Sequence, residues 1–129
     1  MKKNISLLIF ALISATGFLS AQDTAGSAIS PKKFEKKIEK KKAIVLDVRT
    51  PEEYKAGYIP KAVNYNIKDS LNFVQALQAL DKNKKYFLYC GTGRRSGRAI
   101  IMMKQIGFTQ VHHLAGGITN WKGEIKKPG

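Results

Sequence analysis

The sequence predicts an α/β fold: a parallel sheet with helices packed on both faces. Three observations carry this reading. Apolar, strand-like runs alternate along the chain with segments of helical spacing. The run Ala43-Ile44-Val45-Leu46-Asp47-Val48 is apolar on both alternating faces, as a central parallel strand must be. No hairpin signal such as Asn-Gly joins any two runs. In open parallel sheets, sites form at the carboxyl ends of strands. The only cysteine, Cys90, closes one such run.

The elements follow in order. Ala28-Ile29 suits a short first strand. Ser30-Pro31 offers an N-cap and a proline at the first helical position, and Phe34 and Ile38 share one face of the helix that follows. After the strand at 43–48, Thr50-Pro51-Glu52-Glu53 forms a capping box, and Gly57 ends the short helix it opens. Tyr58-Ile59-Pro60 is loop and residues 62–65 a short strand. Asp69 or Ser70 caps a helix carrying Phe73, Ala76, Leu77 and Leu80. Asp81 to Lys84 is a polar turn, and Lys85 to Cys90 is an aromatic-rich strand. A helix is predicted to start near Arg95–Ser96, with Ile100, Met103 and Ile106 as core residues and Gly107 as its stop. Residues 109–114 make the last strand. Gly116-Gly117 then turn the chain into a short final helix packed by Ile118 and Trp121, with a loose basic tail from Lys122.

The domain is expected over residues 28–125, preceded by a leader at 1–21 and a flexible lead at 22–27, with 126–129 as basic tail. Lys2 and Lys3 followed by an apolar run to Leu19 and closing at Ser20-Ala21 read as a secretory signal peptide. The run is short for a full membrane span, which favours cleavage over an uncleaved anchor. A periplasmic or otherwise exported location is therefore expected, with membrane contact only if the leader is retained.

The 129 residues carry a formal net charge of +14, of which +12 remains without the leader. Much of it is Lys32, Lys33, Lys36, Lys37, Lys40, Lys41 and Lys42, read as a solvated helix face. Export argues against a nucleic-acid partner, and the chain is expected to act as a monomer. One cysteine excludes an internal disulfide and thioredoxin-like exchange within the chain. One cysteine with two adjacent histidines is no metal-ligand set of standard spacing, so neither metal nor cofactor is expected. His112 and His113 are consecutive, point to opposite faces of a strand, and are read as structural.

A lone cysteine is ordinarily a buried, inert hydrophobe. The neighbours of Cys90 argue otherwise. Gly91-Thr92-Gly93-Arg94-Arg95-Ser96-Gly97 follows it and leads into a helix. A helix N-terminus and nearby arginines can lower a thiol pKa from about 8.5 into the range of about 3.5–7.5. Gly91, Gly93 and Gly97 permit positive φ and close backbone approach. Arg95 adds a planar fork suited to an oxyanion.

With these segments in view, the chain resembles the single-domain rhodaneses, a family of sulfurtransferases. Four stretches carry the likeness: Leu46 to Tyr54, Gly57 to Asn64, the loop Cys90 to Ser96, and Leu114 to Trp121. Tyr58 stands where the family often has His, and Lys61 where it often has Gly. The resemblance implies a five-stranded parallel sheet between helices. It implies that Cys90 takes a sulfane sulfur from a small anionic donor such as thiosulfate and passes it from a persulfide to cyanide or a thiol. It implies that Gly91, Thr92, Gly93, Arg94 and Arg95 cradle the persulfide and that Arg95 helps bind the donor. Asp47 and Arg49, with Ser96, would support the loop; a purely structural ion pair is an equal reading of the first two.

Two alternatives stand beside this. Phosphatases of the cell-cycle type and arsenate reductases on the same fold use Cys-x5-Arg, whereas Arg95 follows Cys90 after four residues, a smaller loop that suits sulfur better than phosphate. The other is a sulfur-carrier or partner-binding module without efficient turnover.

Overall fold

The computed structural model of the protein describes residues 27–129. The leader at 1–21 lies outside the described residues, as does the lead at 22–27 apart from Ser27, which is buried. Among the described residues, five strands form one parallel sheet: β1 Ala28–Ile29, β2 Ile44–Asp47, β3 Val63–Asn64, β4 Tyr86–Tyr89 and β5 Val111–Leu114. Their spatial order is β1-β5-β4-β2-β3. Each crossover runs through a helix or loop, as parallel pairing requires. The helices are α1 Pro31–Ile38, α2 Pro51–Ala56, α3 Ser70–Gln78 and α4 Arg94–Gln105, followed by a 3-10 turn at Ile118–Asn120.

The sheet is covered on both faces, and strand alternation sorts the core into two layers. Leu46, Tyr86, Leu88 and Cys90 pack with Phe73 and Leu77 of α3 and Ala99, Ile100 and Met103 of α4. Val45, Phe87 and Tyr89 pack on the other side with Phe34 and Ile38 of α1. Phe34 meets Phe87, Tyr89 and Trp121 edge-on, at centroid distances of 6.1, 6.5 and 6.0 Å. All four residues of β4 are buried, so this strand is the axis of the molecule. Truncating Leu88 to alanine there would cost about 2–5 kcal/mol.

The helix starts form as local chemistry dictates. Ser30 Oγ accepts from Lys33 N–H at 3.2 Å, with Pro31 at N1. Thr50 and Glu53 close the reciprocal capping box on α2. The lysines of α1 lie on its exposed face. Lys33 and Lys37 of α1, with Lys40, Lys41 and Lys42 beyond its end and Lys84, line an open depression by the amino ends of β2, β4 and β5, which shares no residue with the Cys90 loop.

Three local expectations need correction. α4 starts at Arg94 rather than at 95–96, because Gly93 turns the chain with φ 105° and the helix begins directly after it. Among the loop glycines only Gly93 uses positive φ; Gly97 lies inside α4 and takes helical backbone. The tail is not loose at Lys126, which pairs antiparallel with Tyr58 through two backbone hydrogen bonds of 2.8 Å.

Lys61 takes φ 76°, the left-handed region that a side chain resists and glycine accepts. Its ammonium donates to the carbonyls of Ile38 and Lys40 at 2.7 and 2.8 Å, satisfying the open end of α1. The strain and the capping oppose each other. Lys61→Ala, which keeps the strain and loses the cap, should lower stability by about 0.5–1 kcal/mol. Lys61→Gly, which loses both, should stay closer to wild type. Paired urea midpoints for the two variants read the difference.

Candidate active site

Cys90 directly follows β4 and has no surface open to solvent. Strand alternation aims its side chain at α4, where the loop folds back over it. The Gly93 N–H donates to Cys90 Sγ at 3.0 Å. Ser96 Oγ lies 3.5 Å from the same sulfur. Burial pushes the thiol pKa up, but the Ser96 hydroxyl and backbone groups of Ser96, Gly93 and Thr92 outweigh it, and the thiol is held below its ordinary value. The cradle therefore extends to Ser96, one residue beyond the expected span. Arg94 and Thr92 are exposed, and Arg94 contributes helix start rather than guanidinium.

Arg95 bends over the loop to Glu53. Nη1 and Nη2 donate to the two carboxylate oxygens at 2.7 and 3.0 Å. A Cβ at Gly91 would sit 3.1 Å from Nη2, so Gly91 leaves the room this fork uses. The Arg95 bonds hold the Glu53 carboxyl down at about 2; partial burial works against this, and the Thr50 bonds assist. The sequence shows Glu53 only as a capping residue. Its second role depends on β2 and β4 lying side by side, which no local pattern displays.

Asp47 and Arg49 meet at 2.7 Å and are buried. Asp47 accepts from Arg49 N, Nε and Nη2, and from the Tyr89 hydroxyl at 2.7 Å. Arg49 Nη2 also donates to the Gly57 carbonyl, and Tyr89 OH accepts from Ile59 N–H. Burial and the Asp47 charge both raise the Tyr89 pKa, so the hydroxyl stays protonated and donating. For Arg49, the Asp47 bonds outweigh burial and keep the guanidinium charged. The group ties the ends of β2 and β4 to the loop after α2. It touches the residue before Cys90 rather than the sulfur. Removing one member of such a pair costs about 3–5 kcal/mol.

A second loop clamps the first. Ile118 N–H donates to the Cys90 carbonyl at 2.9 Å and Thr119 N–H to that of Gly91 at 3.2 Å. Any side chain at Gly117 would collide with the Gly91 carbonyl, and Gly117 takes φ 65°. His112 and His113 face opposite ways, as expected. His112 stacks on Phe87 at 5.8 Å. His113 is not merely packing: its Nδ1 lies 2.8 Å from Ser96 Oγ.

The depressed Glu53 carboxyl sets a pH window. Its pKa is lower in the folded chain, so the Arg95 contact adds stability above the unfolded carboxyl pKa and loses it as pH falls towards about 2. Glu53→Gln keeps a capping side chain but not the charge. The stability gap between wild type and Glu53→Gln should be constant above pH about 5 and shrink steadily in acid. Denaturation midpoints at a series of pH values measure it; a gap independent of pH would refute the pairing.

Residues 30–124 match the family model described as the Rhodanese-like domain. A tRNA uridine(34) hydroxylase of Pelagibacter ubique is 36% identical over 109 residues, covering 84% of this chain but only 36% of that protein. The chain thus spans about a third of the length of that relative. A solved rhodanese-like domain protein from Staphylococcus aureus superposes with a TM-score of 0.69 at 28% identity, over 80% of this chain and 99% of that one. A rhodanese from Escherichia coli, solved with anions, gives a TM-score of 0.56 at 31% identity, over 67% and 99%. With a family model spanning most of its length and the same parallel sheet, the chain belongs to the rhodanese-like domain family.

Proposed function

We propose that the protein is a sulfurtransferase working through a persulfide on Cys90. The observation that carries this is the sulfur's setting: a buried thiol whose pKa is lowered by the hydrogen bonds of a short loop closed by Arg95. The thiolate attacks the outer sulfur of a donor such as thiosulfate. The S–S bond breaks, sulfite leaves with the electron pair, and Cys90 retains the extra sulfur as a persulfide anion. Gly93 N–H and the Ser96 hydroxyl suit that anion as they suit the thiolate. Cyanide or a thiolate then attacks the outer sulfur, and the Cys90 thiolate leaves to restore the resting state.

The same geometry weighs against phosphoryl chemistry. A phosphatase loop must surround a tetrahedral oxyanion, with its arginine directed at two of the oxygens. Here Arg95 is committed to Glu53, and the sulfur has no open surface beside it. A persulfide leaves only one added sulfur atom in the loop, which needs less room than a bound tetrahedral phosphoryl group. Because the sulfur is covered, a donor reaches it only as the loop mouth under Arg95 and Glu53 yields. The relatives named as tRNA uridine(34) hydroxylases share one segment with this chain, and most of their length lies outside it. Their named activity is therefore not assigned to this chain.

The purified protein, given thiosulfate and cyanide, should form thiocyanate with turnover, and Cys90→Ser should reduce the rate to background. Hydrolysis of an aryl phosphate in place of thiocyanate formation would favour a phosphatase. A single stoichiometric burst of thiocyanate without turnover would favour a sulfur carrier.

A further inference from the structure

We propose that His113 is a positioning residue for Cys90, acting through Ser96. The geometry presents a problem of proton supply. Ser96 Oγ carries one hydrogen but has three neighbours able to accept it: Cys90 Sγ at 3.5 Å, the Gly93 carbonyl at 3.3 Å and His113 Nδ1 at 2.8 Å. The shortest contact is the one to the imidazole. If Nδ1 is bare, the hydroxyl proton goes to it, and the oxygen turns a lone pair toward the sulfur. If Nδ1 carries a proton, the imidazole donates to Ser96, and the hydroxyl proton is left to the Gly93 carbonyl or the sulfur, the sulfur being the stronger acceptor once it is charged. The second arrangement stabilises a thiolate, and a persulfide anion in the same place; the first does not.

The fold fixes this chain of contacts. Leu88 of β4 and His113 of β5 are register partners, so His113 faces α4 just as Leu88 and Cys90 do. Its register partner on β1 is Ala28. Both strand partners are apolar, and His113 and Ser96 are buried. Water is thus a poor competitor for the imidazole–hydroxyl bond. The charged groups around the sulfur come from other elements. Arg95 of α4 is paired with Glu53 of α2, and Asp47 of β2 is paired with Arg49. The Ser96 hydroxyl is the side-chain group within reach of the sulfur, and in the proposal His113 sets which way its proton points.

This inference rests on Cys90 acting as a thiolate nucleophile, as in the function proposed above. It does not depend on which atom the thiolate attacks. Its test therefore reads the thiolate and not sulfur transfer, so a failure of sulfur chemistry would leave it standing. The measurement is the pH midpoint of Cys90 alkylation by iodoacetamide. Ser96→Ala and His113→Leu should each raise the midpoint by about half to one unit, or about three- to tenfold less thiolate at a given pH below it. The double variant should shift no further than the larger single change, because both break one chain. His113→Asn places an amide donor near Nδ1 and should restore most of the wild-type midpoint. On the unmodified protein, nitrogen NMR should find the His113 Nδ1 protonated at neutral pH, a reading that needs no variant to fold. A wild-type midpoint in His113→Leu, additive shifts, an Asn variant as displaced as the Leu variant, or a bare Nδ1 would each overturn the proposal.

Discussion

A thiolate sealed from water must be solvated by the protein, and much of this structure serves that requirement. Cys90 has no exposed surface, so burial alone would keep it a neutral thiol. The compensation comes from donors that cannot leave: the Gly93 N–H, the Ser96 hydroxyl, and the backbone at the start of α4. Hydrogen bonds to a charged group contribute about 1.5–3 kcal/mol each, enough that a few of them outweigh burial and hold the thiol below its ordinary value. The parallel sheet makes this possible by ending β4 where α4 begins, with a single glycine-bearing loop between.

Around this centre lie two layers of support with different physics. The Asp47–Arg49–Tyr89 group is buried and mutually hydrogen-bonded, and it fixes where the end of β4 sits. Such a group adds geometry more than stability, since desolvation offsets much of its attraction. The Arg95–Glu53 pair lies at the loop mouth, partly exposed, where the proposed function requires the loop to yield to a donor. Solvent weakens such a pair, which suits a contact that has to open. The clamp from Ile118 and Thr119 holds the remaining side of the loop through backbone bonds, and it needs Gly117 to approach so closely.

The features legible from sequence were those with local causes. The capping box at Thr50–Glu53, Ser30 with Pro31, and the burial of Val45 to Asp47 in β2 follow from neighbours within a few positions. The cysteine's place at a strand end followed from the same patterns. What sequence did not show were contacts set by register. Glu53 reaches Arg95 from 42 positions away, and Ser96 meets His113 from 17. The opposite orientation of His112 and His113 was readable, but which of them would face the cysteine was not. That depended on β5 lying beside β4 with His113 level with Leu88. The pairing of Lys126 with Tyr58 escaped for the same reason. Where Lys61 replaces a frequent family glycine, the left-handed backbone supplies the cause, which the substitution alone did not reveal.

The central claim is that the Cys90 loop turns a buried thiol into an acceptor of sulfur. Intact mass of the protein after exposure to thiosulfate, followed by removal of excess donor, tests it most directly. The account predicts a gain of about 32 Da, one sulfur atom, mapped to Cys90, absent in Cys90→Ser and discharged by cyanide. An unmodified mass in wild type, under conditions where iodoacetamide labels Cys90 readily, would contradict it.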